Sequence, residues 1–85
     1  MQTVAFTQKG FEEYNEWFET NKQIIDRIKI LIRDINREPF KGLGKPEPLK
    51  GNWSGYWSRR IDSEHRLVYK VTSEQILIAK CKGHY

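Results

Sequence analysis

Cysteine is nearly missing from this sequence: Cys81 is the only one among 85 residues. A lone thiol cannot close an internal disulfide and has no second cysteine for a zinc site, so the fold must rest on its core. That usage fits the reducing cytosol, and Cys81 reads as a small core residue. Long apolar runs are missing too. Nothing approaches the roughly 20 residues a membrane helix needs, and the apolar stretch Val4-Ala5-Phe6 is far too short for a signal peptide. The expected location is cytoplasmic, with no membrane partner. Proline occurs only at 39, 46 and 48, which leaves the rest of the chain free for regular structure. There is no Gly-rich phosphate loop before a helix and no serine in a nucleophile motif; the pair Gly42-Leu43-Gly44 is too slight to count.

What remains is a short, basic, moderately aromatic chain. At this length one core is all that can form, burying roughly 60 to 65% of the unfolded surface, so residues 1–85 are expected to make a single domain of modest stability. Net charge is +4, unevenly spread. Residues 1–36 hold five Lys/Arg against six Asp/Glu, and residues 37–85 hold ten against five. The second half therefore carries a basic face suited to a polyanionic partner.

Residues 2–6, QTVAF, form a short strand candidate, and Thr7 can cap a helix over QKGFEEYNEWFE. There Phe11, Tyr14 and Phe18, with Trp17 beside them, make one helical face aromatic. Thr20 or Asn21 can cap a second helix, in which Ile24, Ile25, Ile28, Leu31, Ile32 and Ile35 fall on one side. This stripe lasts under three heptads, so it predicts a core-facing helix rather than a coiled coil. Pro39 stops that helix. The stretch PFKGLGKPEPLKGN then reads as a loop, holding all three prolines and three glycines, and loops of this length tend to be functional or disordered.

From Trp53 the pattern becomes β-rich: Trp53–Ile61, His65–Val71 and Gln75–Cys81, joined by short polar turns. These predict an antiparallel meander. With the early strand and two helices packed on the sheet it completes, the expected class is α+β.

Register turns the meander into chemistry. A hairpin loop at Asp62-Ser63-Glu64 sets Ile61 against His65 and Arg60 against Arg66, with Arg59 on the other face. Like charges directly opposite are unfavourable. Splaying into water or a register off by one would relieve them; so would an anion held between, and phosphate suits paired guanidiniums. A second turn near Ser73-Glu74 returns the last strand beside the middle one, which brings His84 and Tyr85 toward Arg66. Glu47, between Pro46 and Pro48, can approach from the preceding segment.

Cleaving RNA without metal needs a base for the 2′-hydroxyl proton, an acid for the departing 5′-oxygen, and cations for the charge on phosphorus. Glu47, His84, Arg60 and Arg66 match those roles, with Lys50 and Tyr85 as nearby donors. The plain alternatives are a surface carboxylate at Glu47 and a mobile tail at His84. His65 reads as a structural, strand-end histidine. Trp53, Tyr56 and Trp57 fit base stacking, core or partner interface.

The run PFKGLGKPEPLKGNWSGYWSRRIDSEHRLVYKV with the ending CKGHY resembles the YoeB toxins, a branch of the RelE-type toxins of bacterial toxin–antitoxin systems. The resemblance covers nearly the whole chain, and the motifs GKPEPL, SGYWSRRI, EHRLVY and the His-Tyr ending are specific in combination. It implies a RelE-like, microbial-RNase-type fold and a ribosome-dependent mRNA endonuclease that needs no metal or other cofactor. In that family pattern Glu47 would be the general base, His84 the general acid, Arg60 and Arg66 the phosphate ligands, and Lys50 and Tyr85 further site residues, with Tyr85 orienting or stacking on a base. Expected products are a 2′,3′-cyclic phosphate or its opened form, and a 5′-hydroxyl. Implied partners are the ribosome and mRNA, a YefM-type antitoxin, and operator DNA through the antitoxin complex; monomer or homodimer stays open. The competing expectation is a noncatalytic RelE/ParE-like module that binds RNA or protein, gyrase inhibition included. Such a binder would use Arg60, Arg66 and Lys50 but has no use for Glu47, whose charge repels phosphate.

Overall fold

The computed structural model describes residues 2–85. Its elements run β1 (Thr3–Phe6), α1 (Gln8–Thr20), α2 (Lys22–Arg37), β2 (Glu47–Pro48), a 3-10 turn (Gly51–Trp53), β3 (Trp57–Arg60), β4 (Arg66–Val71) and β5 (Gln75–Lys80). Among the described residues no helix is long and apolar enough to cross a membrane.

The helices start where their caps lie. The Thr7 hydroxyl accepts from the Gly10 N–H at 3.1 Å, and the Asn21 side chain accepts from the N–H groups of Gln23 and Ile24 at 3.1 and 3.4 Å. Both bonds satisfy orphan first-turn donors. Asn21 also closes α1, its N–H donating to the Trp17 carbonyl, so the two helices turn on one residue. On α2, Ile25, Ile28, Leu31 and Ile35 are buried, and Ile24 and Ile32 are half-buried. The expected stripe is the core stripe.

On α1 the aromatic face is split. Trp17 is buried, whereas Phe11 and Phe18 are 51% and 54% exposed. The packing face is instead Gly10, Glu13 and Trp17, spaced one turn and then two along the helix. A Cβ at Gly10 would lie 2.5 Å from the Ile78 carbonyl oxygen, so the missing side chain lets α1 close onto β5.

The α+β class holds, with a five-stranded sheet in the order β1-β5-β4-β3-β2. The meander β3-β4-β5 is antiparallel, as expected, but β1 lies parallel to β5. The sheet is mixed because β1 leaves into α1 and not into a hairpin, so its chain is free to run with β5. Two boundaries also differ. The run from Trp53 is strand only over Trp57–Arg60, since Trp53 closes a 3-10 turn whose first residue, Gly51, has φ +64°. The proline-rich loop is not wholly irregular either: Glu47 and Pro48 pair with Ser58 and Trp57 as an edge strand, where a proline costs no ladder bond.

One sheet face packs on the helices through Leu67, Tyr69, Ile76 and Ile78. The other carries a smaller cluster of Leu49, Val68 and Ala79, flanked by Trp53 and Tyr56, which makes those two aromatics packing residues. Trp57 points to the helix side, its ring packed against Phe40 at 4.7 Å between centroids and tilted by 40°.

Candidate active site

Strand alternation puts residues of directly paired positions on one face. Glu47 pairs with Ser58, Ser58 with Val68, and Arg60 with Arg66. All of them share the face the helices leave open. The expected opposition of the two arginines is therefore real. Arg60 is exposed, and among the described residues nothing is bonded to its guanidinium. Arg66 donates from Nη1 to the carbonyls of Asp62 at 2.9 Å and His65 at 3.1 Å, which steadies one edge of its fork and leaves other N–H groups free.

The segment carrying His84 and Tyr85 is tied down. The Cys81 N–H donates to Glu13 Oε1 at 2.8 Å, and Trp17 Nε1–H donates to the Cys81 carbonyl at 2.7 Å. Lys82 Nζ lies 2.6 Å from Glu16 Oε2. The Gly83 N–H donates to His65 Nδ1 at 2.8 Å, and the Arg66 N–H donates to the Gly83 carbonyl at 3.0 Å. Farther on, the Tyr85 hydroxyl donates to Glu47 Oε1 at 2.9 Å. His84 thus sits between a backbone fixed to β4 and a side chain fixed to β2. Its imidazole is exposed and makes no hydrogen bond among the described residues.

Lys50 stands apart from this network. It is exposed, and its carbonyl accepts from the Trp53 N–H at 3.2 Å to open the 3-10 turn. His65 has the structural place expected of it, half-buried and edge-on to Trp17 at 4.8 Å. Cys81 is fully buried, and burial, with the Glu13 charge, pushes its thiol up to about 12. It stays protonated and offers no nucleophile.

The loop that leads to Glu47 is gathered on Arg59. This guanidinium is fully buried and donates to Asp34 Oδ2 at 2.5 Å and to the carbonyls of Leu43, Glu38 and Lys41 at 3.1, 2.7 and 2.8 Å. Three carbonyls of one loop are thereby gathered on one side chain. Asp34 also accepts from the Leu43 N–H at 2.9 Å; that bond, then Arg59, holds its carboxyl down at about 2. Gly44 completes the approach, its carbonyl accepting from the Arg60 N–H at 2.6 Å. At φ +78° and with Arg59 and Arg60 backbone and Cβ atoms about 3 Å from where a Cβ would stand, only glycine fits there.

Sequence reasoning gave Arg59 a face but no partner, and missed Asp34, Glu13 and Ser58, whose hydroxyl lies 3.5 Å from that of Tyr85. A signal existed for the ion pair: Arg59 alternates with Arg60, so it faces the helices, and Asp34 lies beside Ile35 on the apolar side of α2. A buried guanidinium requires such an acceptor. The open face presents a carboxylate and two guanidiniums, and the exposed His84 lies one residue from the Tyr85 bonded to that carboxylate, the inventory of acid–base chemistry on a phosphodiester.

Known proteins resemble this chain over nearly its whole length. Residues 6–85 match the model of the YoeB-like toxin of bacterial type II toxin–antitoxin systems. The toxin YoeB of Streptomyces coelicolor is 56% identical over 82 residues, covering 96% of this chain and 98% of its own. Two Staphylococcus aureus structures superpose on the chain. A YoeB dimer has TM-score 0.93 and 44% identity over 99% of this chain and 98% of its own; a YoeB–YefM complex has TM-score 0.91 and 44% identity over 100% and 99%. The chain belongs to the YoeB-like toxins of bacterial type II toxin–antitoxin systems.

Proposed function

We propose that this toxin is a ribosome-dependent mRNA endoribonuclease acting in the cytoplasm. The observation that carries the reading is the shared open face of Glu47, Arg60 and Arg66, with the His84 segment held across it. The Glu47 carboxylate takes the proton of a 2′-hydroxyl as that oxygen attacks phosphorus. The bond from phosphorus to the 5′-oxygen breaks, and protonated His84 delivers its proton to the departing oxygen. Arg60 and Arg66 stabilise the charge that builds on the phosphoryl oxygens without titrating themselves. A 2′,3′-cyclic phosphate and a 5′-hydroxyl result. Lys50 and Tyr85 bind the flanking substrate, Tyr85 through its ring.

The partners follow the family. The partner is a YefM-type antitoxin, supported by the YoeB–YefM complex of Staphylococcus aureus; in this reading it blocks the open face, and operator DNA is reached through the antitoxin complex. The YoeB dimer of the same organism supports a homodimer here. A noncatalytic binder would need the arginine pair but gains nothing from Glu47, which repels phosphate.

The test is cleavage of a defined mRNA by purified protein, with and without programmed ribosomes, mapping cut sites by primer extension. Cuts in the A-site codon that need ribosomes, and that fall by about 10² or more in both Glu47→Ala and His84→Ala, are expected. Full activity in either variant would sink the acid–base assignment, and no cuts by the unmodified protein would favour the binder.

A further inference from the structure

The catalytic reading leaves His65 unused, although it makes one of the bonds nearest to His84. Its Nδ1 accepts from the Gly83 N–H at 2.8 Å. A backbone N–H can only donate, so this imidazole carries its proton on Nε2. The ring is half-buried, edge-on to Trp17 at 4.8 Å and 74°, and Trp17 in turn donates to the Cys81 carbonyl. With Glu13 on the Cys81 N–H and the Arg66 N–H on the Gly83 carbonyl, both polar backbone groups of Cys81 and of Gly83 are engaged. The exposed imidazole of His84 begins one residue after the last of these bonds.

From this we infer that His65 is a positioning residue for the nuclease reaction: its Nδ1, by accepting from Gly83, sets the direction in which the chain enters His84 and so where the acid stands against the leaving oxygen. The inference rests on the nuclease reading. Gly83 has φ +72° and nothing within 4 Å of where a Cβ would stand, so packing does not restrain its rotation. The hydrogen bond from its N–H and the one to its carbonyl are what orient it. His65 itself touches no substrate in this scheme, and its neighbour Arg66 is the group that does.

Two substitutions separate the acceptor from the ring. Asparagine places its Oδ1 as many bonds from the backbone as histidine places Nδ1, so His65→Asn keeps an acceptor for Gly83 while losing the imidazole. His65→Phe keeps an aromatic edge for Trp17 and has no acceptor. Ribosome-dependent cleavage under single-turnover conditions is expected to fall about tenfold or more in His65→Phe, since small displacements of a catalytic group are costly, and to return to within about threefold of the unmodified rate in His65→Asn.

Amide NMR of the free protein supplies a readout that does not depend on activity. In His65→Phe the Gly83 amide proton should move upfield and the heteronuclear NOEs of His84 and Tyr85 should drop; in His65→Asn both should recover. Thermal melts of both variants separate this effect from loss of fold. A His65→Phe protein that cleaves like the unmodified one overturns the inference. So does a folded His65→Asn protein as impaired as His65→Phe, which would make the imidazole itself the active group. If the unmodified protein cuts nothing, the nuclease reading falls, while the NOEs still decide whether His65 orders the segment.

Discussion

The Tyr85 hydroxyl donates to Glu47 Oε1 at 2.9 Å across 38 residues of sequence, closing the site between the edge strand and the last segment of the chain. One oxygen of the carboxylate is thereby taken, and among the described residues the other has no partner. The Tyr85 ring beside that carboxylate is 48% exposed.

Two roles of Tyr85, ring and hydroxyl, predict different mutants. If the ring holds a base, Tyr85→Ala should lower cleavage by about 10- to 100-fold, the range of one aromatic stacking contact. Tyr85→Phe keeps the ring and should stay within about threefold, because a half-exposed hydroxyl bond contributes about 1 kcal/mol or less. Single-turnover cleavage on programmed ribosomes distinguishes them. Equal losses in the two variants would give the hydroxyl the larger role.

What the sequence could and could not show divides along physical lines. The α2 stripe was legible because six apolar residues recur at helical spacing. The hairpin was legible because Asp62-Ser63-Glu64 fixes a short loop, and from it the Arg60–Arg66 pairing follows. The parallel pairing of β1 was not, since alternation names a strand but not its neighbour. Nor was β2: two residues between prolines carry no period. The clamp on Cys81 was hidden for a different reason. Glu13 on an amphipathic helix reads as solvated, and only the glycine one turn earlier, at position 10, hinted that this side packs against backbone.

That glycine gives the second prediction. Gly10→Ala gains about 1 kcal/mol of helix propensity, yet its Cβ would stand 2.5 Å from the Ile78 carbonyl oxygen and 3.3 Å from the Ala79 carbonyl carbon. Neither atom belongs to a flexible side chain, so α1 must lift from β5 and stretch the bonds of Glu13 and Trp17 to Cys81. Overpacking of this kind costs about 1–3 kcal/mol, and the clash should win. Urea unfolding should show a lower midpoint at an unchanged slope. A midpoint at or above that of the unmodified protein would mean the helix tolerates the methyl and that close approach is not what seats it.

The last prediction concerns the ion pair under the loop that carries Glu47. Arg59 is fully buried and Asp34 is 6% exposed, so removing the guanidinium leaves three loop carbonyls without their donor and Asp34 with only the Leu43 N–H and the exposed Arg37. Arg59→Met should destabilise by about 3–5 kcal/mol, the usual cost of breaking a buried pair from one side. Asp34→Asn is milder at neutral pH because an amide oxygen can still accept from Leu43, and its acid dependence is the sharper test. The Leu43 N–H, then Arg59, hold Asp34 at about 2, below its ordinary 3.8. A depressed folded value means that the unfolded chain binds the proton first. The stabilisation is therefore fully present above about pH 4 and drains away as pH falls through 2. The stability gap between the unmodified protein and Asp34→Asn should be constant from pH 7 to about 5, narrow below 4, and nearly vanish by 2. Urea titrations across that range measure it directly. A gap that does not change with pH would show that the charge on Asp34 contributes nothing and that the loop is held by its backbone bonds alone.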